Sequence, residues 1–273
     1  MSRTPQRPRA ATPGPAVGLT AVDLVVLGFV AEHRLVLSDH VAALLNRSRR
    51  TASARLHALT GPGYLREVRV FDRHPPSFLI TRTGLNVIGS TLPTPRMDLR
   101  GYTHDVGLAW LWLAARCGSF GGVTSIYTER RLRSRDAATN QDQRPLAIRL
   151  GGFGGDGRGR LHYPDLLLIA TDGRRIALEL ELSWKSRGRR EDILTAYAFD
   201  NRVASVVYFV EDRRLGRSIA DSARRLGMSG RVHVQPVRVT GRPGVHPSVA
   251  ASRVRAAPGM SRGADAVRAE VVR

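Results

Sequence analysis

The sequence predicts an α+β protein with two folded parts. In the first part, residues 19–90, three capped helical patterns precede two alternating segments joined by a turn. A segment that contains two prolines follows, and we expect residues 91–98 to form a linker. In the second part, residues 99–240, a helix that is apolar nearly all round precedes alternating strand and helix patterns. Both parts therefore combine helices with strands.

The two ends of the chain differ from these parts in composition. Residues 1–18 and 241–273 are rich in proline, arginine and small residues, and they offer little apolar surface to bury. Such composition cannot offset the entropy lost on ordering the chain. We therefore expect a disordered basic arm at each end.

Each helix of the first part is preceded by a residue that can cap it. Thr20 followed by Asp23 resembles a capping box, and Ser38 and Ser48 are expected to cap the next two helices. The helices are predicted over residues 20–32, 39–45 and 49–59, and the alternating segments over 64–71 and 77–81 predict a β-hairpin. Three helices followed by a hairpin at this length indicate a winged helix-turn-helix.

The third helix is expected to contact DNA. The stretch from Arg47 to Arg55 has four arginines and no acid, opposite an apolar inward stripe. In a helix-turn-helix this helix enters the major groove, and hairpin residues reach the flanking backbone. The predicted DNA-binding residues are Arg47, Arg49, Arg50, Ser53, His57, Arg69 and Arg73. Two alternatives stay open: the basic face is only solvated, or the winged helix binds other proteins.

The overall charge favours a polyanionic partner. The chain has 43 Lys+Arg against 23 Asp+Glu, a formal net charge of +20. Double-stranded DNA is the first candidate partner for such a chain. A membrane is not expected, because the apolar run at 21–31 contains Asp23 and is too short to span a bilayer. The single cysteine, Cys117, excludes an intramolecular disulfide framework, and we expect a cytoplasmic protein.

The second part is predicted to follow the order α-β-β-β-α-β-α-β. We expect helices at 104–117, 189–199 and 215–226, and strands at 123–128, 161–170, 175–185, 203–210 and 231–237. Residues 130–160 are polar, basic and glycine-rich, and they predict a long mobile loop.

Candidate chemistry is concentrated on the strand at 175–185. Alternation places Glu179 and Glu181 on one face, roughly 6–7 Å apart along the strand. Like charges at this distance indicate a metal ion, a basic partner or a shared proton. Lys185 is the only lysine of the chain, so either it is needed as an amine or it is a chance residue at an exposed strand end. For Trp184, core packing is favoured over stacking on a base.

The turn before this strand decides which side chains meet. A two-residue loop at 172–173 would place Asp165 opposite Leu180, on the other face from the glutamates. A three-residue loop with Gly173 in the left-handed conformation would place Asp165 opposite Glu179, so that three carboxylates share a face. We predict the three-residue loop. Such carboxylates suit Mg²⁺, which can activate water for phosphodiester cleavage.

A short motif carries a first family resemblance. Pro164-Asp165 followed by Glu179-x-Glu181 on the next strand, within an αβββαβ order, resembles the PD-(D/E)XK nuclease superfamily. The resemblance implies a restriction-endonuclease-like fold in which Asp165, Glu179 and Glu129 hold Mg²⁺. It also implies catalytic roles for Asp165, Glu179, Glu181 and Lys185. Glu181 stands where that family has its lysine, and Lys185 would be that lysine displaced along the chain.

A second resemblance covers more of the chain, about residues 20–237. The winged helix-turn-helix pattern is followed by Tyr102-Thr103-His104-Asp105, then by Tyr163-Pro164-Asp165 and Glu179-Leu180-Glu181. This order is similar to the replication-relaxation family of actinobacterial and other Gram-positive plasmids and integrative elements. The similarity implies a DNA-binding protein that acts in replication, DNA relaxation or transfer, with replication or transfer proteins as further partners.

Two hypotheses about function follow from the sequence. In the first, the protein binds DNA and its second part is a Mg²⁺-dependent nuclease. In the second, it is a non-catalytic replication or transcription regulator. Its degenerate nuclease-like part would then form a homodimer or bind another protein, with the carboxylates paired to arginines.

Overall fold

The computed structural model describes residues 18–72, 74–139, 146–153 and 159–239, and it shows a mixed α+β protein. The predicted terminal arms, apart from Gly18, and the predicted DNA-binding residue Arg73 lie outside these residues. None of the helices formed by the described residues combines the length and the apolar character needed to cross a bilayer.

The N-terminal region contains four helices and a small sheet. Its elements are α1 (Ala21–Glu32), β1 (Val36–Leu37), α2 (Ser38–Leu45), α3 (Arg49–Thr60), β2 (Leu65–Val68), β3 (Ser77–Ile80) and α4 (Arg82–Val87). The three strands are antiparallel neighbours in the order β1-β3-β2. The predicted helices and hairpin are confirmed, with a hairpin shorter than expected.

Two of the three predicted caps are confirmed. Thr20 and Asp23 form a reciprocal capping box at α1, and the Ser48 hydroxyl accepts a hydrogen bond from the Thr51 N–H at the start of α3. The Ser38 prediction is wrong, because Ser38 is already the first residue of α2. The orphan N–H of Leu37 instead donates to His40 Nδ1 at 3.0 Å.

The predicted linker is packed into the N-terminal core. Residues 91–98 have no regular helix or strand, as expected, but the Leu92 side chain is fully buried. It belongs to a cluster with Leu27, Leu56 and Leu85, and the same cluster includes Leu113 of the next helix. The segment is therefore a structural connection and not a flexible spacer.

The C-terminal region is built around a five-stranded sheet. A 3₁₀ turn (Leu99–Gly101) leads into α5 (Tyr102–Arg116), β4 (Val123–Thr128), α6 (Glu129–Ala138), β5 (Ile148–Phe153), β6 (Gly159–His162), β7 (Leu166–Ala170), β8 (Arg175–Glu181), α7 (Arg187–Phe199), β9 (Val203–Val210), α8 (Arg213–Arg225) and β10 (Val232–Pro236). The strand order is β10-β9-β8-β7-β4. Strands β4, β7 and β8 pair antiparallel, whereas β8, β9 and β10 are parallel.

Helices cover both faces of this sheet. On one face, Leu111 of α5 packs with Leu178 and Leu180 of β8. On the other face, Ala177 of β8 belongs to one core cluster with apolar residues of α7 and α8. The alternation of β8 thus separates the leucines from the glutamates, as the sequence predicted.

The prediction of a mobile loop over residues 130–160 is wrong for the described part of that range. Helix α6 fills its start, where Leu132 is fully buried, and β5 pairs with β6 as a hairpin. The Asp136 carboxylate accepts hydrogen bonds from the Leu146 N–H at 2.6 Å and from the Tyr163 hydroxyl at 3.0 Å. One carboxylate therefore ties the helix to the segments that follow it.

The strand predicted over residues 161–170 is also divided. Strand β6 ends at His162, and β7 begins at Leu166, with Tyr163-Pro164-Asp165 between them. Pro164 has no N–H to donate to a sheet ladder, which explains the interruption. The strand predicted over 175–185 is shorter than expected as well, because β8 ends at Glu181.

Candidate functional site

The predicted register between β7 and β8 is confirmed. Gly173 has a φ of 82°, and the Ala170 N–H donates to the Arg174 carbonyl at 2.9 Å, which closes a three-residue loop. Leu166 lies opposite Leu178. Asp165, one residue before Leu166, is thereby brought next to the end of β8 that carries the glutamates.

Asp165 makes two hydrogen bonds through one oxygen. His104, in the first turn of α5, places Nε2 at 3.2 Å from Asp165 Oδ2, and the Leu180 N–H donates to the same oxygen at 2.8 Å. Burial alone would raise the pKa of Asp165, but the hydrogen bond and charge of His104, together with the Leu180 N–H and the charge of Lys185, lower that pKa. Burial likewise opposes charge on His104, and Asp165 raises the His104 pKa in spite of it. The pair is therefore an ion pair at mildly acidic pH.

Glu179 is the most deeply buried carboxylate of the site, with 4% of its side chain exposed. Its Oε1 atom accepts from the Tyr197 hydroxyl on α7 at 2.5 Å and lies 2.7 Å from His162 Nε2. Burial disfavours the His162 cation, but the charge of Glu179 outweighs this and raises the pKa of His162. Burial, followed by the charge of Glu179, raises the pKa of Tyr197 well above its ordinary value, so the hydroxyl remains a donor.

Glu181 is paired with the single lysine of the chain. Lys185 Nζ lies 2.5 Å from Glu181 Oε2, and 32% of the lysine side chain is exposed. Burial raises the pKa of Glu181 in spite of Lys185. Burial opposes charge on Lys185, but Glu181, then Glu179 and Asp165, raise its pKa. Lys185 lies beyond the end of β8, and its ammonium is paired with Glu181 instead of standing free at an exposed strand end.

Glu129 does not join this group. Its carboxylate binds Arg34 at 2.9 Å and Arg133 at 2.8 Å, and only its backbone N–H reaches the Asp165 carbonyl, at 3.0 Å. Glu129 begins α6 instead of ending β4 as an active-site acid, so its predicted role as a metal ligand is wrong for this arrangement. The predicted residues that do come together are Asp165, Glu179, Glu181 and Lys185.

These residues do not fit a magnesium site as they are arranged. No group of three or more His, Cys, Asp or Glu side chains within the described ranges could hold a metal ion. Asp165, Glu179 and Glu181 each have an oxygen engaged by a donor of the chain itself. Mg²⁺ needs several oxygens that converge on one point, and the described side chains do not form such a group. Within the part of the chain that the structure describes, these three carboxylates pair with two histidines and a lysine and not with the expected arginines.

Sequence reasoning missed two residues around this carboxylate cluster, which we define as Asp165, Glu179 and Glu181. His162 and Tyr197 hold Glu179, although no spacing links either residue to it in the sequence. Asp105, the neighbour of His104, is buried with Oδ2 unpartnered, and burial raises its pKa to about 6. Asp105 belongs to the Tyr102-Thr103-His104-Asp105 helix start on which the second family resemblance was based.

The expected DNA-binding residues lie on the outer side of α3 and on the hairpin. Arg47, Arg49 and Arg50 are exposed, while Ser53 is half-buried. On the same helix Ala52, Leu56 and Leu59 are buried, as predicted. Arg49 lies 3.4 Å from Asp39, whereas Arg47 and Arg50 have no acidic partner among the residues that the structure describes.

Two other predicted DNA contacts have an acidic neighbour. His57 Nδ1 lies 3.2 Å from Glu67, and Arg69 Nε lies 3.6 Å from the same carboxylate. A cavity of about 670 Å³ lies beside Arg50, between α1 and α3, and is separate from the carboxylate cluster. Arg47 and Arg50 at the start of α3 are thus two of several arginines of the described N-terminal region without an acidic partner; Arg66 and Arg82 are others.

Comparisons with known proteins give little further information. No family model and no curated protein matches the chain. A solved structure described as PigF with SAH is 13% identical over 80% of this chain, with a TM-score of 0.19. The match spans 57% of that structure's chain. A TM-score this low supports no argument about fold or function.

Proposed function

We propose that this chain is a winged-helix protein that binds double-stranded DNA through α3. The observation that supports this most is the exposed basic start of α3, where Arg47 and Arg50 have no acidic partner among the described residues. The opposite side of the helix is anchored in the core, so the arginines are held outward on a rigid element. Such a helix can enter the major groove, and a net charge of +20 favours its association with a polyanion.

The hairpin completes this proposed DNA-binding surface. Strands β2 and β3 follow α3 directly and pair antiparallel, which is the order expected of a wing. Arg66 and Arg69 are exposed on the first of these strands or just after it. In this proposal they contact phosphates beside the groove that α3 occupies.

The C-terminal region is proposed to be a restriction-endonuclease-like unit that has lost metal-dependent cleavage. Three features support the nuclease-like origin: the antiparallel run β4-β7-β8, the parallel addition of β9, and helices on both faces of the sheet. The placement of Asp165 directly before β7 and of Glu179 on the adjacent strand β8 agrees with the motif. The donors His104, His162 and Lys185 on the carboxylates favour a cluster without metal.

Together these features favour the second of the two hypotheses from the sequence. We infer a non-catalytic DNA-binding protein of a plasmid or integrative element, similar to the replication-relaxation family, that acts in replication, DNA relaxation or transfer. In such a protein the C-terminal region has a structural or recruiting role instead of a cleaving one.

Duplex binding tests the main part of the proposal. Fluorescence anisotropy with a labelled duplex should show that Arg47→Ala combined with Arg50→Ala weakens binding about tenfold or more. The matched control is Arg116→Ala combined with Arg224→Ala, which removes two exposed arginines far from α3 in sequence. Equal affinity of wild type and the α3 variant would exclude α3 as the DNA-binding element.

A nicking assay tests the non-catalytic part. Supercoiled plasmid is incubated with wild-type protein or Asp165→Ala, in the presence of Mg²⁺ or of a chelator. We expect no metal-dependent nicking above the level of Asp165→Ala. Mg²⁺-dependent nicking by wild type that is lost in Asp165→Ala would refute the non-catalytic reading and restore the nuclease hypothesis.

A further inference from the structure

Trp184 is unusually exposed for a large aromatic side chain, at 56%. The sequence favoured core packing for this residue, and that prediction is wrong. The neighbouring residue Lys185 pairs with Glu181, whereas the Trp184 indole donates its hydrogen bond to Asp212, outside the carboxylate cluster. An indole at the surface leaves a flat apolar face available to a ligand.

A hydrogen bond keeps this indole in place. Trp184 Nε1 donates to Asp212 Oδ2 at 3.1 Å, and Asp212 also caps α8 through the Arg214 N–H at 2.6 Å. Trp184 follows the end of β8, and Asp212 follows the end of β9, which is its parallel neighbour. The ring is thus held between two loops at the carboxyl edge of the parallel strands, where α/β sheets commonly bind ligands.

Exposed arginines lie at the starts of two helices next to Trp184: α7 begins at Arg187, soon after Trp184 in the chain, and α8 is capped by the Asp212 that Trp184 binds. Arg189 in the first turn of α7, and Arg213, Arg214 and Arg217 at the start of α8, are exposed and have no ion pair within the described ranges. Arg187, which is also exposed at the start of α7, is bound to Glu191 and is not counted with them. We call Trp184 with Arg189, Arg213, Arg214 and Arg217 the tryptophan surface.

Two acids lie beside the tryptophan surface, and its four arginines outnumber them. Asp212 holds Trp184 and caps α8, and Glu211 accepts a hydrogen bond from the Val239 N–H at 2.5 Å. Helices α7 and α8 both begin at this edge, which adds the positive ends of two helix dipoles. The electrostatic character of the surface is therefore suited to a phosphate backbone.

We propose that the tryptophan surface binds single-stranded DNA, with an unpaired base stacked on Trp184 and phosphates bound by the arginines. A flat aromatic face can stack only on a base whose own face is free, and a duplex hides those faces. The arginines supply charge that is independent of base sequence. This extends the proposed DNA binding to a second surface, and separate variants test the two surfaces.

Stacking is tested with a labelled oligothymidylate of about 15 nucleotides, which has no stable secondary structure. By anisotropy, Trp184→Ala should bind about 5- to 150-fold more weakly than wild type, the usual effect of losing one stacked base. Trp184→Phe should recover most of the affinity, because it restores an aromatic face. The matched control is Phe199→Ala, which removes an 84% exposed aromatic at the far end of α7 and should bind like wild type.

The arginines are tested through salt dependence. Removing Arg213, Arg214 and Arg217 together should lower the slope of log affinity against log salt by about 2 for the oligothymidylate. Unchanged binding in Trp184→Ala, or equal losses in Trp184→Ala and Phe199→Ala, would overturn the proposal. A thermal melt of each variant identifies any that fails to fold. If Trp184→Ala does not fold, the affinity of Trp184→Phe and the salt slope of the arginine variant test the proposal instead.

The two proposals fail in different ways. Trp184→Ala should leave duplex affinity unchanged, and Arg47→Ala combined with Arg50→Ala should leave oligothymidylate affinity unchanged. Loss of duplex binding in the α3 variant with no effect of Trp184→Ala on either ligand would refute the tryptophan surface alone. Reduced binding of both ligands by both variants would show one shared surface and would also refute it.

Discussion

Replacing Lys185 by methionine should destabilise the protein by leaving Glu181 as a buried carboxylate without its cation. Methionine keeps much of the aliphatic stem, so the change removes mainly the charge. Only 7% of the Glu181 side chain is exposed, against 32% for Lys185. Breaking a buried ion pair costs about 3–5 kcal/mol, and the partial exposure of Lys185 lowers this to about 2 kcal/mol.

The size of this effect should depend on pH. Burial already raises the pKa of Glu181, and loss of Lys185 removes the main influence that lowers it. The carboxyl of the variant therefore takes up a proton more readily in the folded state, and protonation relieves the penalty. Stability of Lys185→Met should approach that of wild type as the pH falls from about 7 to about 5, and diverge from it as the pH rises.

Urea unfolding combined with a double-mutant cycle measures this pair. The single variants Lys185→Met and Glu181→Gln are compared with the double variant at about pH 7. Because the double variant contains no buried unpaired charge, it should be more stable than the sum of the single effects predicts, by about 1 kcal/mol or more. Additive effects within about 0.3 kcal/mol would refute the idea that Lys185 neutralises the cluster.

Three further predictions follow from the fold. The pKa of His162 is raised in the folded protein, so its pair with Glu179 adds to the free energy of unfolding. This contribution is complete below the unfolded-state pKa of the imidazole. It is lost as the pH rises through the higher folded-state pKa. Wild type should therefore lose more stability than His162→Gln between about pH 6 and pH 8 in urea unfolding, and parallel profiles would contradict this. Gly173→Ala should lower the free energy of unfolding by about 1–2 kcal/mol, because φ is 82° while no atom lies near the added Cβ. Gly173→Asn should lower it less, because asparagine adopts positive φ more readily. Equal losses of the two variants in thermal unfolding would argue against a conformational origin. Leu92→Ala should lower the free energy of unfolding by about 2–4 kcal/mol in the same assay, because the side chain is fully buried. A loss under about 0.5 kcal/mol would mean that residues 91–98 do not contribute to the core.

The sequence predicted correctly those elements that depend on residues close together in the chain. Strand β9, Val203–Val210, has the predicted bounds because an apolar run lies between a turn and a capped helix. The three-residue loop at Gly173 followed from a glycine able to adopt positive φ, and it brought Asp165 to the glutamates. The site residues chosen on the alternation of β8 therefore lie together.

Long-range contacts account for most of what the sequence did not reveal. Helix α6 buries a single leucine, Leu132, among arginines, so its sequence has no clear apolar stripe. The partners His162 and Tyr197 come from elements on either side of β8, and their contacts with Glu179 depend on tertiary packing. Leu92 looked like part of a spacer because its flanking prolines dominate the local pattern, whereas burial depends on the core that surrounds it.

The salt dependence of duplex binding tests the central claim most directly. The affinity of wild type for a duplex, measured from about 50 to 200 mM salt, should fall linearly on a log–log scale. Arg47→Ala combined with Arg50→Ala should lower the slope by about 1.8, since each phosphate contact contributes about 0.9. The control Arg116→Ala with Arg224→Ala should keep the wild-type slope. An unchanged slope in the α3 variant would mean that these arginines do not contact phosphates, and the proposed DNA-binding role of α3 would be wrong.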